Sequence, residues 1–258
     1  MFCLPIIALL TLKQHVPEAD LAKALGAMAY SQDGLRIVER PRSDLQVQNA
    51  SGNLIPAEAG LVDRVILDNR KVVLDRVLLG YEIDSALDWA LAEGWQVDRL
   101  GIGFGGSEPP TYRLTMRHVP LDRISVAALS KELKRTVEAP ISEGLMRSGS
   151  KPKTDWKVVQ SLIGLPLEVT GTGVARAAGS QFEVRFYGCP CGKTVIDGWE
   201  TVVASSLDSS LRRIRANRLN IYSIEPCGSG HQIRFSGEGE ATDLAKRVRG
   251  VNRSLPQP

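Results

Sequence analysis

SSLDSSLRRIRANRLNIYSIEPCGSGHQIRFS, from Ser205 to Ser236, reads as one helix followed by one β-hairpin. Leu207, Leu211, Ile214 and Arg218 recur at helical spacing, and Arg212, Arg213 and Arg215 fill much of the remaining surface, the pattern of an amphipathic helix. NIYSIEP and HQIRF are short runs rich in Ile, Tyr and Phe. Cys227-Gly228-Ser229-Gly230 joins them with turn chemistry.

Helix then hairpin recurs along the chain, in units that begin near 17, 83, 154 and 205. HVPEADLAKALGAMAY places Pro17 and the acids Glu18 and Asp20 where a helix start favours them. SQDG, with Asp33 and Gly34, breaks that helix, GLRIVER alternates like a half-buried strand, and SDLQVQ is its expected hairpin partner. AEAGLVDRVILDN reads as a helix, although VDRVIL also fits a strand. From Lys71 the order is clearer: KVVLDRVLLGYEI as strand, DSALDWALAEGW as helix, QVDRLGIGF and TYRLTMRHV as a hairpin around GGSEPP, then DRISVAALSKELKRTV as helix. In the second half TDWKVVQSLIGL is a short helix. PLEVTGTG and QFEVRFYG form a hairpin around VARAAGS, KTVIDGWETVVA is a strand or strand pair, and EATDLAKRVRGV is a terminal helix.

Strand, helix, hairpin, helix thus appears twice. Such units close most simply into an antiparallel sheet with helices on one face. The fold class is therefore α+β, with two tandem ferredoxin-like (β-α-β-β-α) halves. The N-terminal α+β domain covers 1–140. A Pro/Gly/Ser/Lys-rich linker without hydrophobic periodicity covers 141–153, and a C-terminal basic α+β domain covers 154–258.

With 43% hydrophobic and 24% charged residues in 258, the composition is that of a globular protein with a real core. Residues 1–137 hold 16 basic and 17 acidic side chains and residues 138–258 hold 16 and 12, so the net charge of +3 sits in the second half. That imbalance fits a polyanion partner. Four cysteines are too few for a secreted disulfide framework, which predicts a cytoplasmic protein. LPIIALLTL lacks the basic flank of a signal peptide and falls short of the roughly 20 apolar residues that span a bilayer. It reads as a buried first strand, with no membrane partner.

Cys189, Cys191, Cys227 and His231 are the residues with metal-ligand chemistry, and thiolates with an imidazole suit tetrahedral zinc. One residue separates the first pair and three separate the second, which is unusual spacing for zinc. Plain turn thiols and a redox disulfide are the competing readings. YGCPCGKTV lacks the glycine spacing and the following helix of a phosphate-binding loop. Gly101-Ile102-Gly103-Phe104-Gly105-Gly106 is followed by Pro109 and Pro110, which forbid the helix of a dinucleotide site. It reads as a flexible hairpin loop. Trp89, Trp95, Trp156 and Trp199 read as core anchors.

The leading expectation is a non-enzymatic nucleic-acid-binding protein that takes RNA or single strands. Phosphate contacts would come from Arg212, Arg213, Arg215, Arg218, Lys151, Lys153, Lys246, Arg247 and Arg249, with bases stacking on Tyr222, Phe186 or Tyr187. The alternative is an assembly subunit that self-associates or joins a protein complex, its basic residues merely solvating the surface. Two ferredoxin-like halves with a glycine-rich loop and basic helices resemble the RNA-binding proteins of CRISPR systems. That resemblance covers element order alone and implies RNA binding or processing as a third reading. A metal-independent ribonuclease would need His118 or His15 as its base.

Overall fold

A computed structural model describes residues 18–43, 45–48, 51, 54–56, 61–68, 71–103, 110–118, 125–137, 154–170, 173–189 and 192–252. The expected first strand at 4–12, the loop at 104–109, the linker, and His15, Lys151, Lys153 and Cys191 lie outside the described residues.

The first half contains α1 (Glu18–Leu25), β1 (Met28–Gln32), β2 (Leu35–Pro41), β3 (Gln46–Gln48), β4 (Leu54–Pro56), β5 (Val62–Leu67), β6 (Val72–Leu79), α2 (Ile83–Ala92), β7 (Gln96–Ile102), β8 (Thr111–His118) and α3 (Val126–Leu133). The second contains α4 (Trp156–Ile163), β9 (Glu168–Val169), β10 (Ala175–Gly179), β11 (Phe182–Gly188), β12 (Thr194–Val203), α5 (Leu207–Ala216), β13 (Asn220–Cys227), β14 (Gly230–Gly239) and α6 (Ala241–Val251). Twelve strands form one antiparallel sheet in the order β1-β2-β5-β6-β8-β7-β13-β14-β12-β11-β10-β9, and β3 with β4 makes a separate two-stranded piece. The fold is α+β, but the two sheets expected of separate halves are a single sheet, joined where β7 pairs with β13.

The order is palindromic. Read inward from either end, each half contributes a meander of four strands and then a crossed hairpin. Ile83 and Leu207 open α2 and α5, 124 positions apart, as do Gln96 and Asn220 at the starts of β7 and β13. Register shifts fall between Val97 and Arg99 in one half and between Ile221 and Ser223 in the other, again at that separation. Leu100 and Ile224 are equivalent by the same count, and they face one another across the junction. A local two-fold axis therefore passes between them.

Alternation decides which face is buried. Val38, Val65, Leu74, Met116 and Val97 lie in one cross-strand row, and Ala177, Val184, Phe235 and Ile221 in its counterpart. Both rows pack with apolar residues of all six helices among the described residues into one core. The helices so placed cover one face. Asp155 caps α4 and Gly164, with φ of 75°, ends it.

Local readings that failed did so for identifiable reasons. GLRIVER pairs with Met28–Gln32, not with SDLQVQ: Asp33 and Gly34 have φ of 51° and 78°, the left-handed pair of a tight hairpin turn, so Asp-Gly joins strands here instead of merely ending a helix. Gln46–Gln48 pairs with Leu54–Pro56. AEAGLVDRVILDN holds strand β5, and VARAAGS, expected as a loop, contains β10, which pairs with β11 in full, leaving PLEVTGTG only a two-residue edge strand. KTVIDGWETVVA is one strand.

Candidate interaction surface

Arg213 and Arg215 on α5 are half-buried against the chain, while Arg212 stays exposed. Arg215 donates from Nε and Nη2 to Asp88 at 3.0 Å each and lies 2.8 Å from Asp84, both on α2. Arg212 donates to the Leu91 carbonyl at the end of α2. Arg213 bonds the Glu200 carboxylate at 3.0 and 2.9 Å and the Val251 carbonyl at 2.6 Å. Three of the arginines expected to hold phosphate therefore tie α5 to α2, β12 and α6. Burial pushes the Asp84 carboxyl up, with Arg215 drawing it back. Arg218 is exposed at the end of α5. Its carbonyl accepts from Arg247, which also pairs with Asp243 at 2.6 Å, and Lys246 is exposed beside it on α6.

A second charged cluster lies within the first half. Arg76 meets Glu132 at 2.8 Å, and Arg42 meets Glu82 at 3.0 Å. Asp63, 1% exposed, accepts from the Val77 amide at 2.9 Å. Burial raises the Asp63 and Glu132 carboxyls against the pull of these arginines. Perturbed carboxyls often mark reactive sites. Here they hold α3 and the turn Gly80–Glu82 to the sheet, since Glu82 also accepts from the Leu79 amide at 2.7 Å. Position 200 is equivalent to 76, so the buried strand charge is Arg76 in one half and Glu200 in the other.

Opposite the helices, the sheet presents its other set of alternating side chains. Across the first half Glu39 meets Arg64 at 2.5 Å, Asp75 meets Arg113 at 3.1 Å and Asp98 meets Arg117 at 3.5 Å. Arg99 reaches Glu225 across the junction at 3.0 Å. In the second half Tyr222 donates to Asp197 at 2.5 Å, and Glu183 accepts from Arg176 and Arg185 at 2.9 and 2.7 Å. Those two bonds, Arg176 first, hold the Glu183 carboxyl below its usual range. Burial and the Asp197 carboxylate push Tyr222 up to about 12. The surface is a mosaic in which each sign sits beside the other.

Trp199 belongs to this open face. It is half-buried and sits between Glu183 on β11 and Arg234 on β14. It was expected in the core, as Trp95 is at 2% exposure. Its neighbours Gly198 and Glu200 are the buried ones, a parity that TVIDGWETVV obscures because a glycine and a glutamate stand on its buried side. Tyr187 and Tyr222 are half-exposed, whereas Phe186 is fully buried and offers no stacking surface.

Cys189 and His231 of the expected zinc set are not brought together. Cys189 follows β11 beside Thr194, while His231 pairs with Val202 near the other end of β12, roughly 25 Å away at strand rise. Cys227 and His231 share one hairpin turn; Cys227 is exposed and free, and Cys189 is disulfide-bonded. No group of three or more His, Cys, Asp or Glu with metal-binding placement occurs among the described residues. His118 packs edge-on to Trp95, with ring centroids 5.4 Å apart, beside a cleft of about 60 Å³ that Glu93 and Ser125 also line, room for a water or two.

No helix of the described residues is long and apolar enough to cross a membrane. No known protein family, curated protein or solved structure matches the chain.

Proposed function

We propose that the chain is a non-enzymatic assembly subunit that engages protein through the open face of its sheet. The observation that carries this is where the arginines go. Arg213 and Arg215 are spent on several contacts each within the chain and exposed Arg212 on one, while the open face offers half-exposed Trp199, Tyr222 and Tyr187 among charges of both signs. Aromatic and arginine side chains in a mixed polar frame are the composition of protein interfaces more than of phosphate grooves. Sedimentation velocity over a concentration series tests the reading. Self-association that Trp199→Glu abolishes supports it; a monomer that binds single-stranded RNA with steep salt dependence, unaffected by Trp199→Glu, overturns it.

The second reading is nucleic-acid binding. Arg218 and Lys246 are both exposed, and Arg247, next to Lys246 on α6, donates to the Arg218 carbonyl, which supports it. RNA affinity that falls on Arg218→Glu with Lys246→Glu would favour it. The strand orders β6-β8-β7 and β12-β14-β13 also support a finer reading of each half as a ferredoxin-like crossing extended by a meander.

A further inference from the structure

Equivalent corners of the open face are finished differently in the two halves. At the end of β6, Val77 and Leu79 face away from the helices, yet each is only 4% exposed, because Leu45, Leu61 and Tyr81 pack on them. Leu45 and Leu61 belong to the segment that links β2 to β5. Arg42, 3% exposed, anchors its start by donating to the Val77 carbonyl and, at 3.0 and 3.3 Å, to the Glu82 carboxylate. The first half thus carries its own cover.

In the second half the equivalents of Val77 and Leu79 are Thr201 and Val203. There β10 passes to β11 through Ser180 and Gln181 alone; the Gln181 carbonyl accepts from the Thr201 amide at 2.8 Å in the plane of the sheet, but so short a turn supplies no segment to fold over the two side chains. Val203 is 57% exposed, and Thr201 and Trp199 beside it in the same strand face are half-exposed. Ser206 stands where Glu82 receives the arginine, so this corner has apolar contact to give but lacks that charged anchor.

We propose that this corner docks a partner protein's strap of the same chemistry as the segment from Arg42 to Leu61, one that sets two leucine-like side chains on Val203, Thr201 and Trp199. The internal symmetry names the occupant: the chain itself uses leucines for the equivalent surface. Loss of the Arg42–Glu82 counterpart makes the contact reversible, where in the first half it is permanent. The inference rests on the assembly reading and gives it a place and a partner chemistry.

Cys227 supplies the test. It is exposed and free, and it pairs with Gly230, which pairs on its other side with Val203, so its thiol sits at the rim of the corner. The probe is a synthetic peptide with the sequence of residues 42–61 and an added terminal cysteine, equilibrated with the intact protein in a thiol buffer. Adduct at Cys227 is read by peptide mapping, with Cys227→Ser as the control. Burying two leucines is expected to favour this peptide at least about tenfold over its Leu45→Asp, Leu61→Asp version. Val203→Asp should erase that preference; the site lies on an exposed strand end, and circular dichroism of the variant verifies that it is folded. Equal tethering of the two peptides to the wild type, or a preference that survives Val203→Asp, overturns the proposal. Self-association that depends on Trp199 while the peptides tether equally would overturn the corner and leave the assembly reading standing.

Discussion

Arg215 on α5 and Asp88 on α2 form a two-point ion pair, both bonds 3.0 Å, that links the halves beside the local two-fold axis. Asp88 is half-exposed and Arg215 mostly covered, at 54% and 17% side-chain exposure, so solvent weakens the pair from one side only. Arg215→Ala also removes the Asp84 contact and the bond to the Leu219 carbonyl. It should cost about 1–3 kcal/mol and Asp88→Asn less than about 1 kcal/mol. Thermal denaturation followed by circular dichroism checks both; an unchanged midpoint for Arg215→Ala would remove the role assigned to it.

Arg76 and Glu132 are each about 4% exposed. Arg76→Met leaves Glu132 buried with Arg135 alone and should cost about 3 kcal/mol, most of which Arg76→Met with Glu132→Leu regains. The sign with pH follows from the raised Glu132 carboxyl. Its folded state holds the proton more tightly, so the contribution is fully present below the ordinary value of 4.5 and is lost as pH rises through the raised one. Without Arg76 that value climbs further. Urea denaturation should therefore find a smaller penalty for Arg76→Met near pH 4 than near pH 7, and a penalty that grows on acidification would contradict the assignment.

Gly198 lies where β12 passes under Phe235. A methyl group there would stand 2.8 Å from the Phe235 ring and 3.0 Å from the Glu183 carbonyl. Neither neighbour has room to retreat, so Gly198→Ala should destabilise by about 1–3 kcal/mol. Denaturant titration measures it, and a neutral result would mean that the strand spacing relaxes at no cost.

Tyr222 gives its bond to Asp197 only while protonated. With its ionisation pushed from 10.0 to about 12, the folded chain retains a proton that the unfolded chain has lost. The stabilisation is complete below pH 10 and disappears as pH rises through about 12. Wild type should lose more stability than Tyr222→Phe across that interval. Absorbance of phenolate should likewise show one late-titrating tyrosine that the variant lacks.

The four helices beginning at Glu18, Ile83, Trp156 and Leu207 were legible because they carry amphipathic spacing, caps or both. Closure into a single sheet was not, since nothing in QVDRLGI or NIYSIEP says which strand lies beside its free edge. Asp33-Gly34 misled because the same dipeptide ends a helix and turns a hairpin. The arginines of α5 misled for a different reason: helical periodicity shows that Arg212 and Arg215 leave the apolar stripe, but not that a second helix waits there with Asp84, Asp88 and the Leu91 carbonyl. Trp199 required the parity of β12, which only cross-strand register fixes.

The axis between Leu100 and Ile224 has a consequence for stoichiometry. A homodimer built on such an axis must offer every feature twice and recruits partners in pairs. Here a peptide chain joins the two lobes, so one can keep the insertion that seals its corner while the other goes without. A partner that seeks the bare corner finds one per molecule and meets it in a single orientation.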